Sequence, residues 1–245
     1  MGDDMIVQRY VPNPLTVDGL KFDLRIYVLV TNLESPQAYI CQRGLARFCT
    51  EEYKDPRADN FKDFFRHLTN YSINKHHEEY KEAYTSAEES TTNANDNSKR
   101  TLSSCLQSLA ANGVDVDLVM SNVEATCKAA MEVWLPFMRQ SFLGCQSEEG
   151  IKAAPVGKSF LILGLDILVD QDLKAWLLEV NDNPSLYIYL EKDFMGGGVP
   201  KEVSRVDLDV KGEVVADAIE LAKRKSFPDQ FKSYKRLASM DDEDQ

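Results

Sequence analysis

The chain has 245 residues, of which 43% are hydrophobic, and its 40 acidic side chains outnumber the 28 basic ones to give a formal net charge of −12. This length and composition suffice for a folded core and exclude a chain that is disordered throughout. No uncharged apolar run reaches the roughly 18 residues of a membrane span, and no secretory signal is visible. The negative net charge disfavours binding of nucleic acid and, on composition alone, of any other acidic partner.

Strands are predicted over the first part of the chain, residues 6–47. The clearest spans residues 22–31, because its even-numbered positions are apolar and would share one face of a sheet. These positions are Phe22, Leu24, Ile26, Val28 and Val30. The turn-rich residues 32–37 lead to a partner strand at residues 38–43. The pattern therefore predicts an antiparallel pair.

The other face of the first strand begins with three charged residues, Lys21, Asp23 and Arg25. A lysine and an arginine on one face can hold a polyphosphate or a carboxylate, although a solvated strand face has the same pattern. Arg47 adds a cation near the end of the partner strand. Residues 67–71, with the sequence HLTNY, add short polar groups that bind sugar and phosphate oxygens or cap helices. These groups are candidate ligands for a phosphorylated molecule.

Residues 81–100 are rich in Glu, Thr, Ser, Asn and Ala and lack apolar periodicity, which predicts a disordered insertion. Two helices follow. The spacing of Leu102, Leu106 and Leu109 predicts a short helix that ends at the pair Asn112 and Gly113. Apolar residues at steps of three and four then predict a long amphipathic helix over residues 116–134, which Pro136 should bend or end. A loop is predicted for residues 146–157.

A buried hairpin is predicted next. The apolar run at residues 160–169 is followed by turn residues and a returning strand at 175–181, which places Asp166 roughly opposite Glu179, with Asn181 on the face of Glu179. Two buried carboxylates repel each other unless a cation neutralises them, and a few oxygen ligands suit Mg²⁺. Exposure of both carboxylates at a sheet edge is the alternative.

The last part of the chain carries a run of three glycines at 196–198 without the pattern of a P-loop, and then a predicted helix over residues 210–221. Six basic residues lie between Lys223 and Arg236, against one acidic residue, Asp229, and an acidic end follows. The whole sequence therefore predicts a nucleotide and Mg²⁺ held between antiparallel strands without a P-loop.

Six segments carry a resemblance to a known family. They are VQRYV at 7–11, PLTVDGLKFDLRIYVLV at 14–30, GLARF at 44–48, HLTNYSINK at 67–75, GLDIL at 164–168 and WLLEVNDNPSL at 176–186. In order and spacing they resemble the C-terminal part of the tubulin–tyrosine ligase-like enzymes, members of the ATP-grasp superfamily. The resemblance covers roughly residues 6–190.

The resemblance implies an α+β fold, namely an ATP-grasp-like antiparallel sheet with flanking helices and with the N-terminal portion missing. Residues 1–78 would carry strands and nucleotide contacts, and residues 79–100 the disordered insertion. Residues 101–190 would supply the helices and the metal-binding hairpin of the same domain. Residues 191–245 would form a C-terminal helix and a charged tail.

The resemblance also implies roles for individual residues. The predicted ATP contacts are Gln8, Arg9, Tyr10, Val11, Lys21, Asp23, His67, Leu68, Thr69 and Asn70. The catalytic residues Arg25 and Arg47 would stabilise charge on the transferring phosphoryl group and on an acyl phosphate. Asp166, Glu179 and Asn181 would hold Mg²⁺.

The implied reaction is ATP- and Mg²⁺-dependent ligation of an amino acid, preferably glutamate, to a carboxylate of an acidic tubulin tail. Addition of glycine or tyrosine stays open, and the basic residues at 223–236 would assist docking unless they form a solvated helix end. The expected location is cytoplasmic and cytoskeletal, including a cilium, a flagellar axoneme or a basal body. Five cysteines without a C-x-x-C pair agree with a reducing compartment. The alternatives are a non-catalytic microtubule-associated module and a ligase acting on a small molecule.

One departure from the family concerns nucleotide affinity. ATP-grasp enzymes carry further lysines and a phosphate cover on an upstream domain, which leads us to expect a fragment, a shortened product or an inactive variant. The isolated chain should then bind ATP weakly or not at all. Isothermal titration calorimetry with ATP and Mg²⁺ measures this affinity, and a micromolar dissociation constant would contradict the expectation.

Overall fold

The computed structural model describes residues 7–81, 97–146, 159–190, 202–224 and 228–239. These residues form an α+β fold built on an eight-stranded antiparallel sheet. The strands are β1 (Thr16–Val17), β2 (Leu20–Thr31), β3 (Gln37–Glu52), β4 (Lys99–Thr101), β5 (Phe160–Val169), β6 (Ala175–Asn181), β7 (Gln230–Phe231) and β8 (Tyr234–Ser239). The helices are α1 (Phe64–His67), α2 (Tyr71–Asn74), α3 (Leu102–Ala111), α4 (Val116–Gln146) and α5 (Arg205–Ala222). The predicted fold class is confirmed.

Strand β2 lies near the middle of the sheet, in the order β6-β5-β2-β3-β8-β7, while β1 pairs with β2 and β4 pairs with β3. Its even-numbered side chains share one face, as predicted, and pack in a core cluster with side chains of α3 and α4 such as Leu109 and Met131. All three strands that pair with β2, namely β1, β3 and β5, are antiparallel to it. The predicted alternation along this strand is confirmed.

The opposite face of β2 is charged at one end and mainly apolar at the other. Lys21 and Asp23 are buried at one end, and Tyr27 and Leu29 belong to a second core cluster at the other end. Apolar residues of α5 such as Val214 cover this second cluster. The charged side chains therefore stand on a largely covered face, which excludes the alternative of a solvated strand face.

The β5–β6 hairpin has the predicted register, because Asp166 pairs with Glu179 across the two strands. The side chain of Asp170 closes the turn by accepting hydrogen bonds from the backbone N–H groups of Asp172 and Lys174, both at 3.0 Å. Leu173 adopts a φ of 62°, which is uncommon for a bulky residue and belongs to this tight turn. The turn thus places the two carboxylates side by side.

The helix ends agree only partly with those predicted from the sequence. Helix α3 ends as predicted at Asn112, and Gly113 follows with a φ of 81°. Helix α4 does not end at Pro136 but continues to Gln146. Proline removes one backbone hydrogen bond, and the contacts of Leu135 and Met138 with the core offset that loss. No helix among the described residues is long and apolar enough to cross a bilayer.

The prediction of disorder is wrong for Lys99 and Arg100, because they belong to β4 and pair with Arg47 and Ala46 of β3. Residues 82–96 lie outside the described residues. Of the loop predicted at 146–157, Gln146 is the last residue of α4 and the others lie outside the described residues. The glycines at 196–198 and residues 240–245 of the acidic end also lie outside them, so the boundaries proposed for the four regions stay predictions.

Tyr234 anchors β8 to α5, because its hydroxyl is buried and donates a hydrogen bond of 2.9 Å to the carbonyl oxygen of Val214. We expect Tyr234→Phe to lower the free energy of unfolding by about 1 kcal/mol, the usual net value of such a bond. Urea denaturation followed by circular dichroism measures the difference. In the control Tyr53→Phe, which loses a solvent-exposed bond to Asp55, the change should stay within about 0.5 kcal/mol.

Candidate functional site

Two cavities adjoin on the sheet face that carries Lys21 and Arg25. The first, which we call the Lys21 cavity, has a volume of about 320 Å³, and the second, the Lys211 cavity, has a volume of about 350 Å³. Arg47, Asn70 and Glu179 line both of them. The two cavities therefore share a wall made by side chains predicted to be functional.

The Lys21 cavity brings together all ten residues that the sequence nominated for ATP. Its lining contains Gln8, Arg9, Tyr10, Val11, Lys21, Asp23, His67, Leu68, Thr69 and Asn70. Its polar wall also contains Asp166, Arg47 and Glu179. Apolar surface comes from Leu168 and Leu178, which were not predicted as site residues. The predicted residues are thus neighbours in space, while their binding of ATP stays a prediction.

Lys21 is the buried cation of this cavity. Its Nζ donates hydrogen bonds to the carbonyl oxygen of His67 at 2.7 Å and to the hydroxyl of Tyr10 at 3.1 Å. The same hydroxyl lies 3.3 Å from Nδ1 of His67. Burial lowers the pKa of Lys21. These contacts join three segments that are remote in sequence around one ammonium group.

Four charged residues form a closed network beside Lys21. Arg25 pairs with Asp166 through Nε and Nη2, and Arg47 pairs with Asp23 at 2.8 and 2.5 Å and with Asp166 at 2.8 Å. The hydroxyl of Thr69 donates to Asp23 at 2.7 Å. Both aspartates are only 2% exposed. The planar donors of the two arginines are therefore held in fixed positions, Arg47 at the wall between the cavities and Arg25 in the lining of the Lys211 cavity.

This network sets the protonation of Asp166. Burial alone would raise its pKa, but the hydrogen bond from Arg25 and the charge of Arg47 outweigh burial, so the pKa lies below its ordinary value. A carboxyl with a lowered folded-state pKa stabilises the protein above its unfolded-state pKa, and that stabilisation is lost as the pH falls through the folded-state pKa. Asp166 is consequently an ionised group at neutral pH.

Glu179 and Asn181 extend the cluster. A hydrogen bond with Asp166 is the main cause of the raised pKa of Glu179, and burial adds to it. The side-chain amide of Asn181 donates to Oε1 of Glu179 and to the carbonyl oxygen of Gly164, both at 3.2 Å. Two crowded carboxylates and an amide oxygen fit Mg²⁺, which accepts few protein oxygens and keeps several waters. The described residues contain no group of three His, Cys, Asp or Glu side chains suited to a metal.

The absence of a side chain at Gly164 leaves space for Arg25, which was not predicted from the sequence. A Cβ atom at this position would lie 2.8 Å from Cβ of Pro184 and 3.1 Å from Cδ of Arg25. Any side chain would therefore displace Arg25 or the segment after β6. The only sequence signal was the interruption of an apolar strand by a glycine.

An ion cluster in the Lys211 cavity was also not predicted from the sequence. Asp207 of α5 lies 2.8 Å from Nζ of Lys99 and 2.8 Å from Nζ of Lys211. Burial would raise the pKa of Asp207, but the two lysines lower it overall; burial lowers the pKa of Lys211. The spacing of four residues between Asp207 and Lys211 signals a pair on one helix face. It does not reveal that the pair is buried.

Three of the six basic residues that would assist docking lie in ion pairs with acidic side chains, and their part in docking stays a prediction. Lys232 lies 3.3 Å from Asp217 and 2.9 Å from Glu220, and Lys235 lies 2.6 Å from Glu124. Arg236 pairs with Asp229 at 3.1 Å. The sequence shows one acidic residue, Asp229, among these basic residues. In the fold, α4 and α5 bring three further acidic side chains next to them.

The chain is similar in sequence to known proteins. Residues 2–193 match the model of the Tubulin-tyrosine ligase family. The chain is 37% identical over 236 residues to "Tubulin polyglutamylase TTLL11" of Mus musculus, covering 92% of this chain and 30% of that protein. It is 36% identical over 220 residues to "Tubulin polyglutamylase TTLL6" of Homo sapiens, covering 90% and 22%. The chain thus spans less than a third of these relatives.

The coupling between Asp166 and Glu179 can be tested directly. We expect Asp166→Asn to lower the pKa of Glu179 toward its ordinary value, because the contact with Asp166 is the main cause of the rise. Carboxyl ¹³C NMR titration of the folded protein measures this shift. The turn variant Asp172→Asn should leave the titration of Glu179 unchanged, and an unchanged pKa in Asp166→Asn would show that the two groups are not coupled.

Proposed function

The chain belongs to the tubulin-tyrosine ligase family, and on that basis we propose that it carries out ATP- and Mg²⁺-dependent ligation of glutamate to a carboxylate of a tubulin tail. The observation that supports this most is the convergence of ten predicted nucleotide residues and two partly buried, ion-paired arginines on adjoining cavities. One cavity would take ATP, and the other would take the groups to be joined. Their shared wall is the place where the reacting atoms would meet.

In the proposed function, the Lys21 cavity binds the nucleotide. Residues 8–11 line it beside Leu168 and Leu178, whose apolar surface suits a flat, partly apolar base. Lys21 adds a desolvated positive charge, which attracts phosphate more strongly than a hydrated lysine does. Thr69 and Asn70 supply short polar groups for the sugar or phosphate oxygens.

Asp166, Glu179 and Asn181 would hold Mg²⁺. When bound, the ion would neutralise charge on phosphate oxygens. Arg25 and Arg47 would serve the same end with fixed hydrogen-bond donors, because their carboxylate partners already orient them. Such preorganised charges need not rearrange as negative charge develops in the transition state.

The proposed reaction has two steps. The acceptor carboxylate attacks the γ-phosphorus of ATP, which releases ADP and forms an acyl phosphate. The amino group of glutamate then attacks the acyl carbon, and inorganic phosphate leaves as the amide forms. Catalysis rests on positioning and charge stabilisation and needs no covalent bond to the enzyme. In agreement, burial raises the pKa of Cys41, Cys49, Cys105 and Cys127, which makes these thiols poor nucleophiles.

The proposal names tubulin and glutamate because the relatives at 36–37% identity are tubulin polyglutamylases. It also includes a cytoplasmic, cytoskeletal location, with the axoneme or basal body of a cilium or flagellum as the finer site. A carboxylate on the acceptor and a second one on glutamate would both enter a region of the protein that is rich in arginine and lysine.

Glu179→Gln tests the proposed metal site. In an enzyme that also contains the upstream lysines and phosphate cover of the family, we expect the variant to lose ligation of labelled glutamate to tubulin-tail peptides by at least about a hundredfold, as happens when one preorganised charge-stabilising group is removed. The change keeps the size of the side chain and removes the crowding with Asp166, so the thermal midpoint should not fall.

The matched control is Glu132→Gln, on the exposed surface of α4, where Glu132 lies 3.7 Å from Lys128. This variant should ligate at the wild-type rate. Wild-type activity in folded Glu179→Gln would show that Glu179 holds no essential ion.

A further inference from the structure

Asn74, the last residue of α2, lies outside the linings of both cavities and was not predicted as a site residue. It is only 1% exposed. A side-chain amide offers two N–H donors and an oxygen that accepts two hydrogen bonds, and a buried amide loses free energy for each of these that stays unused. All four are used in Asn74, two by a strand of the sheet and two by the chain beside Lys21. The amide therefore connects two parts of the fold.

The oxygen of this amide is bound to the sheet. Oδ1 of Asn74 accepts hydrogen bonds from the backbone N–H and from the hydroxyl of Thr50, both at 3.1 Å. Thr50 is a buried residue of β3, and β3 pairs along much of its length with β2. A side chain that is bonded to the main chain of such a strand moves little relative to the sheet. Asn74 therefore has a fixed support.

The nitrogen of the amide is bound to the three residues between α1 and α2, which we call the 68–70 loop. Nδ2 donates to the carbonyl oxygen of Leu68 at 2.7 Å and to that of Asn70 at 3.1 Å. The carbonyl oxygen of Asn70 also accepts from the backbone N–H groups of Ile73 and Asn74, as α2 begins. The bond to Leu68 is thus the one that reaches across the loop to its first residue.

The 68–70 loop and the residue before it hold two charged groups of the site. The hydroxyl of Thr69 donates to Asp23 at 2.7 Å, and Asp23 in turn binds Arg47. The carbonyl oxygen of His67, directly before the loop, accepts from Nζ of Lys21 at 2.7 Å. A displacement of about 1 Å away from these groups would lengthen both bonds beyond hydrogen-bonding distance. The position of the loop therefore controls how Lys21 and Asp23 are oriented.

We propose that Asn74 is a positioning residue that ties the 68–70 loop to β3 and so keeps Lys21 and Asp23 in place for the phosphates of ATP. The proposal rests on the proposed ligase function and adds to it a residue that acts on the nucleotide only through its neighbours. The four hydrogen bonds need an amide oxygen and an amide nitrogen on one short side chain, a combination that asparagine alone provides.

The first test needs no nucleotide and uses this chain alone. Burial is the main cause of the lowered pKa of Lys21. In Asn74→Ala the released loop should admit water to Lys21, so its pKa should rise toward the ordinary value for lysine. NMR titration of the ¹³Cε signal of Lys21 measures this rise. The matched control Asn122→Ala, on α4, loses a bond of 2.8 Å to the carbonyl oxygen of Leu173, so its thermal midpoint should fall while the titration of Lys21 does not change.

The second test measures the use of ATP by an enzyme that also contains the upstream lysines and phosphate cover of the family. Asn74→Ala should raise the KM for ATP about tenfold or more, as for the loss of a hydrogen bond to a charged group, and leave the KM for the acceptor peptide unchanged. Asn122→Ala should leave both values unchanged. A purely structural role of Asn74 would lower the thermal midpoint, as in the control, without a change in the KM for ATP below that midpoint.

Asn74→Asp separates the two halves of the amide and serves as the second variant if Asn74→Ala does not fold. It keeps an oxygen for both bonds from Thr50 and places another oxygen against the carbonyl oxygens of Leu68 and Asn70. The tie to the loop is thereby replaced by repulsion, so the KM for ATP should rise at least as much as in Asn74→Ala. Because the new carboxylate adds a charge of its own, the KM for ATP, and not the titration of Lys21, is its readout.

The outcomes separate this proposal from the ligase function. A raised pKa of Lys21 in Asn74→Ala, together with a wild-type enzyme that uses no ATP, would support the positioning of Lys21 by Asn74 and overturn the ligase function. An unchanged titration of Lys21 in folded Asn74→Ala would overturn the proposal whether or not the enzyme is active. In an active enzyme, a KM for ATP that neither variant changes would do the same.

Discussion

The ion network of Arg25, Asp166, Arg47 and Asp23 is the constraint on which the rest of the site depends. These residues come from three adjacent strands, and the sheet register sets Asp23 opposite Arg47 and Arg25 opposite Asp166. The loss of any member would leave an uncompensated buried charge, which costs several kcal/mol, roughly 3 to 5. A slip of one residue in β2 would place these charges in the core under α4. The network therefore fixes the register as well as the positions of the two arginines.

The two charged clusters of the site differ in their balance, and the difference agrees with different roles. The Arg25 network pairs two guanidinium groups with two carboxylates, so it is neutral and serves as a rigid support. The Asp207 cluster pairs two ammonium groups with one carboxylate and keeps a positive charge. A neutral network can be complete without a ligand. A cluster with an unbalanced buried charge gains free energy when an anion binds.

Local patterns predicted a good part of this architecture. The alternation from Phe22 to Val30 correctly identified the core face of β2, and the turn at Asp170 gave the pairing of Asp166 with Glu179. Contacts between remote segments could not be predicted in this way. Lys99 lies in a polar stretch and becomes a strand residue only because it pairs with Arg47 of β3. Periodicity shows which face of an element is buried, and it does not show which distant residue covers that face.

The position of the charges in the fold, which the net value of −12 does not show, removes the apparent conflict between an acidic chain and an acidic partner. Residues 1–50 carry five acidic and five basic side chains, so this half of the site is balanced. Acidic residues on α4 and α5, among them Glu124 and Glu220, pair with the basic residues near the end of the chain. Repulsion from the remaining exterior charge is screened within about 8 Å at physiological salt. The cations that line the two cavities lie close to any group that enters them, where salt screens little, so the net charge of the chain does not by itself exclude an acidic partner.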